Sequence, residues 1–142
     1  MLIGEYTNSV DKKGRVTMPA KFVKEMGKTL FISRGLDGTL SVYTKKSWNK
    51  LEEKINQLSM TKEKNRAFAR FILSGSQEIS PDSQGRILIP QHLRDHAKLG
   101  SKLVWTGLGD KAEIWSEERW NKYLKESVKN PEEIAESLED II

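Results

Sequence analysis

Short apolar runs and one-sided helical patterns alternate along the chain, and the whole series occurs twice in the same order. The runs Val16-Thr17-Met18 and Ile87-Leu88-Ile89 each predict a short strand. Pro19 and Pro90 follow, residues suited to the first turn of a helix, where a missing N–H costs nothing. Phe22 and Met26 fall on one face of the first helix, which the pattern ends at Gly27. Leu93 and Ala97 do the same in the second, which is expected to stop near Gly100. Strands are expected next at 30–32 and 103–105, and then, across a glycine-rich turn, at 39–43 and 112–115. Asp37-Gly38 is a type I′ hairpin signal and Gly109-Asp110 reverses it, so the two turns should differ. A helix closes each pass. Trp48, Leu51, Ile55 and Leu58 share one helical face, as do Trp120, Tyr123 or Leu124, and Val128, with Ser116 placed as an N-cap. Between the passes, residues 61–73 read as an extra helix turning Phe68, Phe71 and Ile72 inward, and Ser74-Gly75-Ser76 as a hinge.

The duplication also holds residue by residue. Asp11-Lys12-Lys13-Gly14-Arg15-Val16-Thr17-Met18-Pro19 recurs as Asp82-Ser83-Gln84-Gly85-Arg86-Ile87-Leu88-Ile89-Pro90 at an offset of 71. One inserted residue makes the offset 72, and Gly35-Leu36 then falls on Gly107-Leu108, Val42-Tyr43 on Ile114-Trp115, and Trp48 on Trp120. Two copies are too few for a solenoid. A single copy of roughly 50 residues is marginal as an isolated fold. The copies are therefore expected to pack face to face as an intramolecular pseudo-dimer, with the two Asp-x-x-Gly-Arg turns related by a pseudo-twofold axis. The chain divides accordingly into a first repeat (5–47), a helical linker (48–75), a second repeat (76–119), and a C-terminal helix with an acidic tail (120–142).

Composition narrows the class. With 142 residues, 37% hydrophobic and 31% charged, the chain is sized for one compact domain or two small ones sharing a core. No apolar run approaches the roughly 20 residues of a membrane span, and the N-terminus has neither the basic start nor the apolar stretch of a signal peptide. With no cysteine there are no disulfides, thiolate nucleophiles or Cys-ligated zinc, which suits a reducing cytoplasm. The net charge of +4 hides an asymmetry: residues 126–142 hold six acids and one base, a net of −5, which leaves +9 on residues 1–125. Such a body attracts polyanions, nucleic acid foremost, unless the lysines simply form a solvated surface. Enzymatic readings lack support. His92 and His96 have a metal-holding spacing, but Leu93 stands where the metalloprotease motif needs Glu, so a solvated helix face is expected. Asp11 and Asp82 as a nuclease pair lack a third acid to help hold Mg²⁺. No metal site and no cofactor is called for. Trp48, Trp105, Trp115 and Trp120 are expected mostly in the core, with Trp105 partly exposed in an interface.

The duplicated Asp-x-x-Gly-Arg-x-x-x-Pro element, the Arg34-Gly35-Leu36-Asp37-Gly38 turn and the run Gly85-Arg86-Ile87-Leu88-Ile89-Pro90 resemble the MraZ family. Each copy is similar to a SpoVT/AbrB-type swapped-hairpin DNA-binding module, and the resemblance covers residues 1 to about 126. It implies an α+β fold of two tandem AbrB-like β-barrel modules sharing a pseudo-twofold core, with flanking helices. It also implies a sequence-specific transcriptional regulator, a repressor of the division and cell-wall gene cluster, cytoplasmic and nucleoid-associated. On that resemblance the partners are promoter DNA carrying short direct repeats and further copies of the chain in a ring-shaped homo-oligomer, with no membrane. The signature Asp and Arg stand here as Asp11, Arg15, Asp82 and Arg86; the basic residue before the motif glycine is Lys13 in the first copy but Gln84 in the second.

The chemistry of these residues fits DNA. Arginine can donate two hydrogen bonds to guanine O6 and N7, and a glycine beside it lets backbone approach phosphate. Arg15 and Arg86 are expected to read bases or clamp phosphates, with Lys12, Lys13, Lys21 and Lys24 supplying sequence-independent attraction. Asp11, Gly14, Asp82 and Gly85 are expected to form the turns. In the competing reading, Arg15 merely pairs with Asp11 to hold the hairpin. A different class altogether is an oligomeric scaffold or antitoxin-like module that grips a protein partner.

Overall fold

The computed structural model describes residues 1–138; the tail residues Glu139, Asp140, Ile141 and Ile142 lie outside the described residues. In chain order the elements are β1 (Glu5–Ser9), β2 (Arg15–Thr17), α1 (Ala20–Met26), β3 (Leu30–Arg34), β4 (Leu40–Thr44), α2 (Lys45–Asn56), α3 (Glu63–Gly75), β5 (Gln77–Ile79), β6 (Arg86–Leu88), α4 (Gln91–His96), β7 (Lys102–Gly107), β8 (Lys111–Ser116), α5 (Glu117–Ser127) and α6 (Pro131–Ser137). The fold is α+β. Among the described residues no helix is long and apolar enough to cross a membrane.

The strands form an antiparallel six-stranded sheet, β1-β7-β8-β4-β3-β5, and a separate antiparallel pair, β2–β6. Exchanging each strand for its counterpart in the other repeat reverses the sheet order onto itself. The pseudo-twofold axis can be located from register. At offset 72, Ser41 and Glu113 correspond and also face each other across β4 and β8. At offset 71, Val16 and Ile87 correspond and face each other across β2 and β6. The axis passes through both pairs.

The repeats are interleaved. β1 of the first pairs with β7 of the second, and β5 of the second pairs with β3 of the first. Because each repeat lends its outer strand to the other, hydrogen bonding runs on into one open sheet edged by β1 and β5. No closed barrel, the form implied by the resemblance, is found among the described residues.

One core draws on both repeats: Val16, Phe22, Leu30, Ile32, Leu40, Ile87, Leu93, Trp105 and Ile114 are all buried in it. Trp105, expected partly exposed, is 0% exposed, because it sits on the inner face of β7, edge-on to Phe22 of α1 (6.2 Å, 74°). A second cluster forms where α2 and α3 cover the sheet, with Trp48, Ile55, Ala69 and Ile72 buried and Phe31 stacked on Trp48 at 5.1 Å. Here Ala69 takes the inward place expected of Phe68, which is exposed; the small side chain lets the helix approach closely. α3 also continues through Ser74 to Gly75, so the expected hinge is helix up to its last residue.

Helix ends follow local chemistry. α1 stops at Gly27 with φ 80°, as the sequence indicates. α4 ends at His96 rather than near Gly100, the chain reversing at Lys98 with φ 50°. The Leu99 N–H then bonds the Arg94 carbonyl at 3.0 Å, and this early turn returns the Leu99 side chain to the core. Thr44 caps α2 and Ser116 caps α5, each hydroxyl accepting an N–H three residues on. The hairpin turns differ as their sequences require: Asp37 and Gly38 are both left-handed (φ 60° and 70°), whereas at the other turn only Gly109 is (φ 86°). Each closing helix clasps the other repeat's turn. Ser47 Oγ donates to the Asp110 carbonyl at 2.6 Å, and Arg119 Nη1 to the Gly38 carbonyl at 3.2 Å. Trp120 and Tyr123 of α5 lie half-buried against Trp115 (5.1 and 4.8 Å), leaving Leu124 exposed.

Candidate nucleic-acid interface

The two Asp-x-x-Gly-Arg turns are near copies of each other in geometry. Asp11 Oδ1 accepts the backbone N–H groups of Lys13 and Arg15, both at 2.9 Å, and its Oδ2 accepts Arg15 Nε–H at 2.7 Å. Asp82 does the same with Gln84 (2.8 Å), Arg86 (2.9 Å) and Arg86 Nε (2.9 Å). The Gly14 N–H closes the first turn on the Asp11 carbonyl at 3.0 Å, and Gly85 closes the second on Asp82 at 2.9 Å. Both glycines are left-handed, φ 83° and 75°, a conformation disfavoured once a Cβ is present. The Arg15 backbone N–H foremost, and then its guanidinium, hold the Asp11 carboxyl below its ordinary 3.8. Arg86 acts on Asp82 in the same order. Both carboxylates are therefore charged at neutral pH and brace their arginines.

The bracing takes only Nε. Among the described residues, neither terminal amino group of Arg15 or Arg86 makes a hydrogen bond. The pairing of arginine with aspartate that the competing reading requires is thus present, and it leaves each guanidinium fork available to something else.

β2 and β6 place the two forks together on one surface. Arg15 faces Leu88 and Arg86 faces Thr17 across the pair, so these four side chains share one face and Val16 and Ile87 share the other. The inner two are 0% and 1% exposed. The arginines are thus diagonal neighbours, with Cα atoms roughly 7–8 Å apart, at opposite ends of a two-stranded ribbon whose outer face meets solvent. Lys12, Lys13, Ser83 and Gln84 are exposed in the turns. Lys21 and Lys24 are exposed on α1, and no hydrogen bond or ion pair ties them to either turn.

Sequence reasoning missed one residue. The Arg94 guanidinium of α4 lies over Gly14, so that a Cβ there would meet Arg94 Nη1 and come within 2.6 Å of its Cζ. Arg94 Nη2 donates to Gln91 Oε1 at 2.8 Å, and its Nε is buried with no partner. The corresponding cover over Gly85 is Val23, whose Cγ2 would lie 3.6 Å from a Cβ. Setting Val23 against Arg94 at the offset of 71 was the available signal. Beside the shorter Val23 a groove of about 680 Å³ opens, lined among others by Tyr6, Asn8, Thr17, Met18 and Gln84.

The two glycines make a matched pair for a test. Gly85→Ala is expected to cost about 1–2 kcal/mol from backbone strain alone. Gly14→Ala should cost more, since Arg94 must also move aside. Urea denaturation of the two variants compares them directly, and equal losses would show that Arg94 is not held over the turn.

Of the two histidines, His92 is exposed, as a solvated helix face requires, and His96 is half-buried. His92 Nε2 lies 3.0 Å from the Gly75 carbonyl at the end of α3 and His96 Nε2 3.2 Å from that of Gly35 in the β3–β4 turn, so the two rings donate to separate parts of the first half of the chain.

Fold and site together define an α+β protein built by internal duplication, with an aspartate-braced arginine at each end of a shared β-ribbon. The chain belongs to the MraZ family: the model of that family, described as "MraZ protein, putative antitoxin-like", matches residues 1–71 and again 72–140. Its relatives include proteins of Caldanaerobacter subterraneus subsp. tengcongensis (46% identical over 99% of this chain and 98% of that one) and Heliobacterium modesticaldum (47%, 99% and 98%). Another, from Carboxydothermus hydrogenoformans, is 44% identical over 100% of this chain and 99% of its own. All three bear the name transcriptional regulator MraZ; the family is one of regulators and not of enzymes. Among solved structures, the solution structure of PHS018 from Pyrococcus horikoshii matches at 16% identity with a TM-score of 0.33, over 80% of this chain and 88% of that one, too remote to bear on the fold.

Proposed function

We propose that this protein is a DNA-binding regulator of transcription whose β2–β6 ribbon enters the major groove. One observation carries the reading. Two guanidinium groups, each fixed through Nε by an aspartate and unbonded at its terminal nitrogens, stand on the solvent face of a two-stranded ribbon. A ribbon of that kind fits the major groove, where arginine forks match guanine O6 and N7. Fixing the side chain beforehand lowers the ordering cost of binding. Arg15 and Arg86 are the base or phosphate contacts. Lys12, Lys13 and Lys21 add attraction to the backbone, and Gln84 takes the place of Lys13 at the second turn. Asp11, Gly14, Asp82 and Gly85 hold the shape. The relatives' name supports regulation of transcription.

Finer points rest on the family resemblance. The two repeats, 5–47 and 76–119, act as SpoVT/AbrB-like swapped-hairpin modules, joined by the helical linker 48–75 and followed by the C-terminal helix and acidic tail 120–142. The targets are short direct repeats in the promoter of the division and cell-wall gene cluster, bound as a repressor in the nucleoid. A single ribbon offers little contact area, so a ring-shaped homo-oligomer placing several ribbons on repeated sites gains by effective concentration.

Footprinting of the DNA upstream of the protein's own coding sequence, titrated with salt, tests the proposal. Lys12→Ala and Lys13→Ala should each weaken binding to all sequences alike and reduce the salt slope by about one. Protection that makes no distinction between tandem and scrambled sites would instead favour an oligomeric scaffold or antitoxin-like partner for a protein.

A further inference from the structure

The groove beside Val23 is apolar along its floor and open at its side. Tyr6, Met18, Pro19 and Val23 line it, and it ends at Gln84 and Gly85. β1 is an edge strand, so no further strand of the chain closes it. Its volume of about 680 Å³ is that of a site for a ligand or a short segment. One element of the chain carries a matching surface. α6 has no buried residue, and Ile134 (44%) and Leu138 (57%) stand exposed, four apart on one side of the helix. Glu132, Glu133 and Glu136 fall on the other side. The sequence beyond keeps the spacing, with Ile141 and Ile142 seven and eight positions after Ile134, and Glu139 and Asp140 in phase with the acids. Residues 131–142 hold five acids and no base. The rim of the groove has the opposite sign. Lys21 and Lys24 are exposed on α1 beside Ala20 and Val23, and Arg86 follows Gly85, against Glu5 as the one acid of the lining.

The helix does not reach the groove of its own chain. Asp37, Glu126 and Ser127 line one small pocket, so the last turn of α5 lies beside the β3–β4 turn. α6 folds back on that end, where Ser127, Ile134 and Ser137 line a cleft. β1 is three strands from β4 and four from β3, roughly 14–19 Å across the sheet. The faces differ as well. α5 packs on Trp115, away from the shared core, whereas the groove opens on the core side, where Tyr6 meets Phe22 edge-on at 5.3 Å.

We infer that α6 of one copy seats Ile134 and Leu138 in the β1–α1 groove of a second copy, and that its carboxylates compete with DNA at the second turn. The seating stands apart from the DNA-binding reading, and the competition rests on it. An amphipathic helix laid in an apolar groove presents its polar side outward. Here that side is a row of carboxylates over Lys21, Lys24 and Gln84, where it attracts the lysines and repels phosphate. The first turn has the Arg94 guanidinium where the second has Val23, so the carboxylates act at one end of the ribbon.

Two measurements on the full chain test this. The chain has no cysteine, so Leu138→Cys and Val23→Cys, prepared separately and mixed under mild oxidation, report on contact between copies. Their mixed disulfide should exceed that of Leu138→Cys with Lys50→Cys, an exposed site on α2, by at least about fivefold. A yield no greater than with Lys50→Cys would overturn the seating. In the second measurement, Ile134→Ser and Leu138→Ser are combined, which removes the anchors and keeps every charge. Both residues are exposed, so the thermal melt should not change. Affinity for a duplex selected by the unaltered protein from a random-sequence pool should rise at least about threefold. Ala20→Trp, which fills the groove without adding charge, should raise it likewise, and the three substitutions together should go no further. Unchanged affinity, or gains that add, would overturn the competition. A mixed disulfide in a protein that binds no duplex in any variant would overturn the DNA-binding reading and leave the seating in place.

Discussion

Trp105→Ala should destabilise the protein by about 3–5 kcal/mol, the range for removing a buried large aromatic. The indole is wholly buried and packs edge-on against Phe22, so the cavity would open between one repeat's sheet and the other repeat's helix. The corresponding position of the first repeat holds Ser33, so the duplicated core contains one indole here and no twin. Against a total stability of about 5–15 kcal/mol, such a loss is a large fraction. Trp105→Phe should cost much less, for two reasons. It keeps most of the volume, and it removes an indole N–H that is buried with no hydrogen-bond partner. Urea denaturation followed by circular dichroism checks both. An unchanged midpoint in Trp105→Ala would mean that the repeats do not share this core.

Arg15→Ala should weaken binding to a selected duplex by about 1–3 kcal/mol while leaving the fold intact. The arginine is a poor candidate for a structural keystone. Its ion pair with Asp11 is about one-third exposed on both sides, and surface pairs of that kind contribute little. Asp11 would also keep its two backbone N–H bonds, which hold the turn without the guanidinium. Arg15→Lys should not restore affinity, because an ammonium offers neither the Nε contact nor the planar fork. Fluorescence anisotropy at fixed salt, read beside a thermal melt, separates the outcomes. A folded Arg15→Ala variant with full affinity would reduce Arg15 to a brace for its own hairpin.

Much of this architecture is written in local pattern. Six of the eight strands, the helix faces of Phe22, Met26 and Leu93, the cap at Ser116 and the two unlike hairpin turns follow from residue type and spacing, whereas the exchanged strands β1 and β5 are not among those expected. The braced turn was also legible, since Asp at the first position and Gly at the fourth define it. What alternation cannot specify is the partner of a strand. The pattern in β1 is satisfied equally by β3 or β7, and the exchange is decided by the shared core. The phase of α3 was misjudged by one residue because Phe68 is more hydrophobic than Ala69, whereas the close helix–sheet contact needs the smaller side chain. The end of α4 was set by Leu99 seeking the core, a tertiary demand that overrode the glycine at 100. Arg94 escaped notice because it lies outside the motif and acts on it across the interface between repeats.

The exchange of β1 and β5 also has a consequence for how the protein is made. A ribosome that has released only the first half leaves β1 and the outer edge of β3 with no neighbours to bond, so the sheet cannot close until the second half has left the exit tunnel. Joining the halves in one polypeptide then makes their union a first-order event, independent of how many copies the cell contains. Either half translated alone could complete itself only with an identical twin, and would carry the same chemistry at both ends.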